Sequence, residues 1–133
     1  ETRRMRHIAD ASGAPRPIGA YSQAVVANGL IFCAGQIGID PATGELVASD
    51  DVKEQARQVL ENLSAVLDEA GSDFTHVLQT TVFITDPSHG PVVNSVYASF
   101  VHPERPPARQ TVTVAGLPMG ALVEISVIAA EAI

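Results

Sequence analysis

The chain is short of basic residues, of cysteine and of long apolar runs, and each shortage excludes a class of protein. Only 8 of its 133 residues are lysine or arginine, against 15 acidic ones, so its formal net charge is −7. From Gly19 onward the basic residues are Lys53, Arg57, Arg105 and Arg109. A nucleic-acid-binding domain needs a basic stripe that displaces counterions from phosphates, so this composition argues against that function.

The other absences concern compartment, membrane and metal. Cys33 is the single cysteine, which excludes an intrachain disulfide and makes a reducing, cytoplasmic setting the default expectation. No apolar run approaches the ~20 residues of a membrane span, and no charged-then-apolar leader is evident. The 4 histidines lack metal-binding spacing, so we expect no metal site.

Local signals predict one packed domain. Apolar residues make up 46% of the chain, enough for a core. Asn28-Gly29 between two apolar runs predicts a hairpin with a type I′ turn. Residues 52–70 carry apolar side chains at helical spacing, with Asp50 or Asp51 as the N-cap. Polar residues 1–16 predict a flexible N-terminal arm, followed by a single domain over 17–133.

The complete pattern predicts an α+β fold. A strand over 76–84, a second helix opening at Asp86, and strands at about 109–115 and 121–131 give the order ββ-α-β-α-ββ. Both helices are expected on one face of the sheet. Because residues 30–34 and 123–128 are apolar on both faces, we expect another copy of the chain to cover the second face.

Arg109 is the most informative residue, because it stands where a strand should begin and a charge in a buried strand is costly without a partner. Strand alternation places Arg109, Thr111 and Thr113 on one face. One interpretation is a structural ion pair or a solvent-exposed arginine at a strand end. The other is a guanidinium that binds a substrate carboxylate through two hydrogen bonds.

Glu124 interrupts the apolar run of the last strand, which could be the hairpin neighbour of the strand that carries Arg109. Such a carboxylate could hold and deprotonate a water molecule, or simply be the counter-ion of Arg109, and the two roles are compatible. Tyr21, at the entrance to the first strand, is expected to be a strand aromatic with its hydroxyl at the rim. Cys33 is expected to be a small core residue.

Several motifs, in order from about Pro17 to the C-terminus, resemble the RidA family of enamine/imine deaminases. The resemblance rests on Pro17-Ile-Gly-Ala-Tyr-Ser-Gln23, Phe32-Cys-Ala-Gly-Gln-Ile-Gly38, Gln55-Ala-Arg-Gln-Val-Leu-Glu-Asn62, Thr80-Thr-Val-Phe-Ile-Thr-Asp86, Pro107-Ala-Arg109 and Val123-Glu-Ile125. It implies a chorismate-mutase-like fold and a homotrimer whose sheets form a central barrel, with three sites in the clefts between subunits.

The same resemblance implies a reaction and its residues. Deaminase members hydrolyse 2-aminoacrylate-like enamines and 2-imino acids to 2-oxo acids and ammonia, without a cofactor, and so limit damage by reactive metabolites. Arg109 matches the arginine that binds the substrate carboxylate, and Glu124 matches the acid that positions the attacking water. Tyr21 matches a tyrosine of the cleft, Gly35 a glycine whose backbone approaches the ligand, and Asn94 a pocket position.

Two positions depart from the family pattern. Both are expected to line the substrate-binding site. Thr111 stands where many relatives carry cysteine: it is harmless if the backbone carbonyl does the work there, and it puts activity in doubt if a thiol is required. Ala34 stands where serine is common, which removes a hydroxyl from the pocket and is expected to shift substrate preference. An alternative function is a non-catalytic trimer of the same fold that binds small carboxylates as a regulator. Some relatives have been labelled ribonucleases, which the acidic charge makes unattractive for this chain.

Overall fold

A computed structural model describes residues 5–132 as a six-stranded sheet with two α-helices packed on one face. The fold class predicted from the sequence is confirmed. In chain order the elements are β1 (Arg6–Ile8), β2 (Ala24–Ala27), β3 (Leu30–Gln36), α1 (Val52–Glu69), β4 (Val77–Ile84), α2 (Gly90–Ala98), β5 (Ala108–Thr113) and β6 (Val123–Ala130).

The turn and cap predictions are confirmed. Asn28 and Gly29 have φ angles of 53° and 79°, which is the left-handed conformation that both positions of a type I′ turn require. The side chain of Asp51 accepts hydrogen bonds from the first-turn amides of α1, so it is the N-cap. These local signals fix where β3 and α1 begin, and with them the position of the residues that β3 contributes to a site.

The core lies between the helices and the sheet face that they cover. Leu60, Leu63 and Leu67 of α1 are fully buried against that face. Cys33 points into the same core, where burial raises the pKa of its thiol to about 12. The thiol therefore stays protonated near neutral pH, as expected for a core residue rather than a nucleophile.

The strand order is β1-β2-β3-β6-β4-β5, and this corrects one expectation. β5 and β6 are not hairpin neighbours, because β4 lies between them and pairs in parallel with β5 and antiparallel with β6. The connection of residues 114–122 thus carries the chain past β4 instead of folding straight back. β5 is an edge strand, and all six of its residues are exposed rather than buried as expected.

The sequence predicts a flexible arm over residues 1–16, whereas the described part of that segment, from residue 5, pairs with the sheet and is hydrogen-bonded to it. β1 pairs antiparallel with β2, which adds a strand to the predicted order. The buried Gln23 side chain accepts a hydrogen bond from the Ala11 amide and donates one to the Pro15 carbonyl, each at 2.7 Å. The packed domain therefore begins before residue 17, and residues 1–4 lie outside the described residues.

The sheet face opposite the helices stays uncovered in a single chain. Phe32 and Val112 expose 44% and 42% of their surface there. This agrees with the expectation that the second face is apolar. Within residues 5–132, neither helix is long and apolar enough to cross a bilayer.

Candidate active site

Arg109 is held by two residues of α2. Its Nη1 donates a hydrogen bond of 2.7 Å to Oδ1 of Asn94, and its guanidinium carbon lies 4.9 Å from the centre of the Tyr97 ring. Asn94 and Tyr97 are three positions apart, so they share one face of the helix. Within residues 5–132 no carboxylate pairs with Arg109, so the structure does not support the structural ion pair.

The guanidinium borders two cavities. One, of about 340 Å³, also contains Thr111, which lies two residues beyond Arg109 on the same strand face. The other, of about 510 Å³, lies under the proline-rich connection of residues 101–107. Nη1 is engaged by Asn94, and no other side chain in the described part of the chain accepts a hydrogen bond from Arg109. Nε and Nη2 can therefore bind a ligand with two acceptor oxygens.

Glu124 lies on the opposite sheet face, beside an irregularity in β3. The register between β3 and β6 shifts between Cys33 and Gln36, which is the geometry of a β-bulge at Ala34-Gly35. A Cβ on Gly35 would lie 2.9 Å from the carboxyl carbon of Glu124, so any larger residue at this position would displace the Glu124 side chain. Burial raises the pKa of the Glu124 carboxyl, because half-desolvation disfavours its charged form.

Tyr21 and Glu124 line the same surface depression. It lies in the loop before β2 rather than in the strand, and its hydroxyl accepts a hydrogen bond of 3.2 Å from the Ile18 amide. The depression holds about 280 Å³ and is lined by Ile18, Tyr21, Ala34, Gly35, Ile37, Pro118 and Glu124. Its walls are mostly apolar and carry one carboxylate, which can act as a base. The depression therefore suits a small organic molecule.

The predicted site residues therefore form two groups that do not meet within one chain. Arg109 pairs with Thr80 across the β4–β5 ladder, and Glu124 pairs with Phe83 across the β4–β6 ladder. Thr80 and Phe83 are three residues apart on β4, so they face opposite sides of the sheet. Glu124 cannot be the counter-ion of Arg109 in the same chain. We call the groups the arginine half-site (Asn94, Arg109, Thr111) and the glutamate half-site (Tyr21, Ala34, Gly35, Glu124).

Some contributors were missed by the sequence reasoning. Tyr97 is absent from the predicted site residues, although its spacing of three from Asn94 places it on the same face of α2 and so beneath the same arginine. Ile18 and Pro118 line the same depression as the glutamate half-site but carry no local signal, because their place there depends on how two loops converge. No cluster of three metal-ligating side chains exists among residues 5–132.

Comparison with known proteins shows that the sequence of this chain matches a protein family. Residues 11–131 match the family model described as Endoribonuclease L-PSP. The chain is 43% identical to the 2-iminobutanoate/2-iminopropanoate deaminase of Rattus norvegicus over 127 residues, which cover 96% of this chain and 91% of that protein.

Two solved structures have the same fold. A member of the conserved Rid protein family from Yersinia pestis superposes with a TM-score of 0.90 at 45% identity, covering 96% of this chain and 99% of that one. The TdcF protein of E. coli, solved with bound serine, superposes with a TM-score of 0.88 at 39% identity and covers 96% and 100% of the two chains.

Proposed function

This chain belongs to the RidA family, and from that premise we propose that it is a hydrolytic deaminase converting 2-imino acids and their enamine tautomers to 2-oxo acids and ammonia. Relatives at 41% and 43% identity carry the name 2-iminobutanoate/2-iminopropanoate deaminase. Removal of reactive metabolites in a reducing cytoplasm, by a cofactor-free enzyme, is part of the same proposal. A plant relative at 40% identity is named a reactive intermediate deaminase.

The observation that carries the proposal is that Arg109 is held in one orientation and still has two donor nitrogens available. Its guanidinium is oriented by Asn94 and Tyr97, yet Nε and Nη2 have no partner in the described part of the chain. A planar fork of two donors matches the two oxygens of a carboxylate. The TdcF structure contains serine, an amino acid with such a carboxylate, which supports a ligand of this class.

The chemistry needs one positioned water. With the substrate carboxylate on Arg109, the Glu124 carboxylate removes a proton from water as its oxygen adds to the imine carbon. The C=N π electrons move to nitrogen, which takes the proton from Glu124 and so gives a tetrahedral adduct with a hydroxyl and an amino group. Glu124 then accepts the hydroxyl proton as the C=O bond forms and passes it to nitrogen as the C–N bond breaks, so ammonia leaves and a 2-oxo acid remains. One water is consumed, and no electron acceptor or metal is needed.

The two half-sites can act together if three copies assemble. In this proposal the open sheet faces line the inside of a homotrimer, and the arginine half-site of one copy faces the glutamate half-site of the next. Both features of the single chain that lack an explanation, the apolar open face and the divided site, support such an assembly. Tyr21 and Ala34 of one copy then border the ligand held by Arg109 and Thr111 of its neighbour.

Phe32→Glu should prevent this assembly, because a carboxylate would be placed in the centre of the apolar open face. We expect the wild-type chain to elute at three times its mass of 13.9 kDa in size exclusion with light scattering. The variant should elute as a monomer with less than about a tenth of the activity. Glu61→Gln, on the exposed side of α1, is the matched control. A fully active wild-type monomer would contradict the proposal.

Gly35→Ala should reduce turnover by about tenfold or more, because the added methyl group would displace the Glu124 carboxylate. Gly116→Ala is the control, since nothing lies within 4 Å of a Cβ at Gly116. Steady-state kinetics on both variants make the comparison. Equal and unchanged activities would mean that the position of Glu124 does not matter for catalysis.

A coupled assay tests the function itself. A pyridoxal-phosphate-dependent serine/threonine dehydratase generates the enamine, and its decay is followed with and without this protein. Faster release of ammonia and 2-oxo acid is expected. The rival function, a non-catalytic binder of small carboxylates, predicts binding of 2-oxobutanoate with no acceleration of imine decay.

The family description as an endoribonuclease is not the function we propose here. The formal net charge of −7 opposes the counterion release that drives RNA binding. Salt-dependent binding of RNA by this protein would speak for the ribonuclease and against our assignment.

A further inference from the structure

Tyr97 and Thr80 form a polar pair inside the core beneath Arg109. Tyr97 is 4% exposed and Thr80 is fully buried, and their hydroxyl oxygens lie 2.8 Å apart in a hydrogen bond. One face of the Tyr97 ring carries the Arg109 guanidinium, at 4.9 Å. The ring is therefore in contact with β4 through its hydroxyl and with β5 through its π face.

Packing alone does not require these hydroxyls. Valine has nearly the shape of threonine, and phenylalanine differs from tyrosine only by the buried oxygen. Two buried hydroxyls lose their hydration and regain one mutual hydrogen bond, so an apolar pair of the same shape would be about as stable. What the hydrogen bond adds is a direction, because it fixes how far the ring reaches and how it is turned.

Thr80, Tyr97 and Arg109 each contact the other two. Thr80 and Arg109 are direct partners in the β4–β5 ladder, and Tyr97 contacts both. Asn94, one turn earlier on α2, accepts from the edge of the same guanidinium. The guanidinium is thus supported on its face by Tyr97 and on one edge by Asn94, and its free edge is left for a ligand.

We infer that Tyr97 is a positioning residue for Arg109, and that Thr80 orients the Tyr97 ring for this purpose. The inference rests on the proposed function for its kinetic consequence, since a guanidinium with a fixed plane presents two donors in the geometry of a carboxylate. An arginine free to rotate would bind the same anion with a geometry that varies, and the imine carbon would move with it.

Three variants separate the parts of this arrangement. Tyr97→Leu removes the ring and should raise the KM for 2-iminobutanoate about tenfold or more, with a similar rise in the Kd for 2-oxobutanoate measured by calorimetry. Tyr97→Phe keeps the ring face and should restore most of the loss. Thr80→Val removes the orienting hydrogen bond and should raise KM about threefold at a nearly unchanged kcat.

Val96→Ala is the matched structural control. Val96 lies next to Tyr97 on α2 and is 4% exposed, but it lines neither of the two cavities that Arg109 borders. The variant should lower Tm through the cavity it leaves and should leave KM and Kd unchanged. If Val96→Ala raises KM as much as Tyr97→Leu does at equal loss of Tm, then Tyr97 acts only through stability and the inference is overturned.

A second readout does not depend on catalysis. The Nε–Hε resonance of Arg109, identified by its loss in Arg109→Ala, should be displaced by the ring current of Tyr97 and should move to the position of a solvated arginine in Tyr97→Leu. An unmoved resonance would overturn the inference whatever the activity. An inactive wild-type protein with a displaced resonance would instead refute the proposed function and leave the positioning role intact.

Discussion

Arg109→Ala should reduce kcat/KM for 2-imino acids by about 100- to 10,000-fold while the protein stays folded and assembled. The estimate follows from two charge-assisted hydrogen bonds to a carboxylate, each contributing about 1.5–3 kcal/mol. Because β5 is an exposed edge strand, loss of the side chain should leave the core intact. Steady-state kinetics, circular dichroism and light scattering together check the three parts of this expectation.

Arg105→Ala is the matched control. It removes the same charge four residues earlier, from an exposed side chain whose nearest polar partner is His102. Activity close to that of the wild type is expected. If Arg105→Ala and Arg109→Ala lose activity equally, the effect is one of overall charge. If Arg109→Ala dissociates the assembly, the residue is structural and the carboxylate-binding role fails.

Glu124→Gln should lower kcat by about 100- to 10,000-fold and should barely change the affinity for 2-oxobutanoate. The amide keeps the shape of the side chain above Gly35 but cannot accept a proton from water. Kinetics and calorimetry on the same preparations separate the two effects. Equal losses in kcat and in affinity would mean that Glu124 binds the ligand rather than activating water.

The pH profile gives an independent check on Glu124. A general base acts in its charged form, and burial raises the pKa of this carboxyl above its ordinary value of 4.5. Activity should therefore fall with decreasing pH at a higher pH than for an exposed carboxylate. The acidic limb should vanish from the residual activity of Glu124→Gln, and a limb that persists unchanged would assign it to another group.

The raised pKa of Glu124 also predicts an effect on stability. The ionised carboxylate that catalysis needs should lower the stability of the fold. Because the folded-state pKa of Glu124 is raised, the folded protein binds a proton more readily than the unfolded chain does, and the ionised form destabilises the fold above that pKa. Glu124→Gln should therefore be at least as stable as the wild type near neutral pH, as measured by urea unfolding. This is the pattern expected when a site residue is retained at some cost to the fold.

Local signals in the sequence predicted the parts of the fold that depend on neighbours along the chain. The Asn28-Gly29 turn, the Asp51 cap and the alternation that places Arg109 and Thr111 together all follow from rules that act over a few residues. The strand order does not. The parallel pairing of β4 with β5 joins segments separated by α2, and no local pattern distinguishes it from the hairpin with β6.

Local signals could not predict the division of the site for the same reason, and only the family resemblance implied sites between subunits. Arg109 and Glu124 are 15 residues apart in sequence, yet their faces of the sheet are set by their separate registers with β4. The short strand β1 was missed because three polar-flanked residues carry too little periodicity to mark a strand. The support of Arg109 by Tyr97 depends on how α2 crosses β5, which is a property of packing rather than of spacing.

The most direct measurement is complementation between two inactive variants. Arg109→Ala and Glu124→Gln chains are co-expressed with different tags, and the mixed assemblies are isolated by sequential affinity steps. If each site takes Arg109 from one copy and Glu124 from the next, every mixed trimer contains one intact cleft, and its activity should recover to about a third of the wild-type value per trimer. Mixed assemblies as inactive as the two parent variants would place both residues in separate functions and contradict the account.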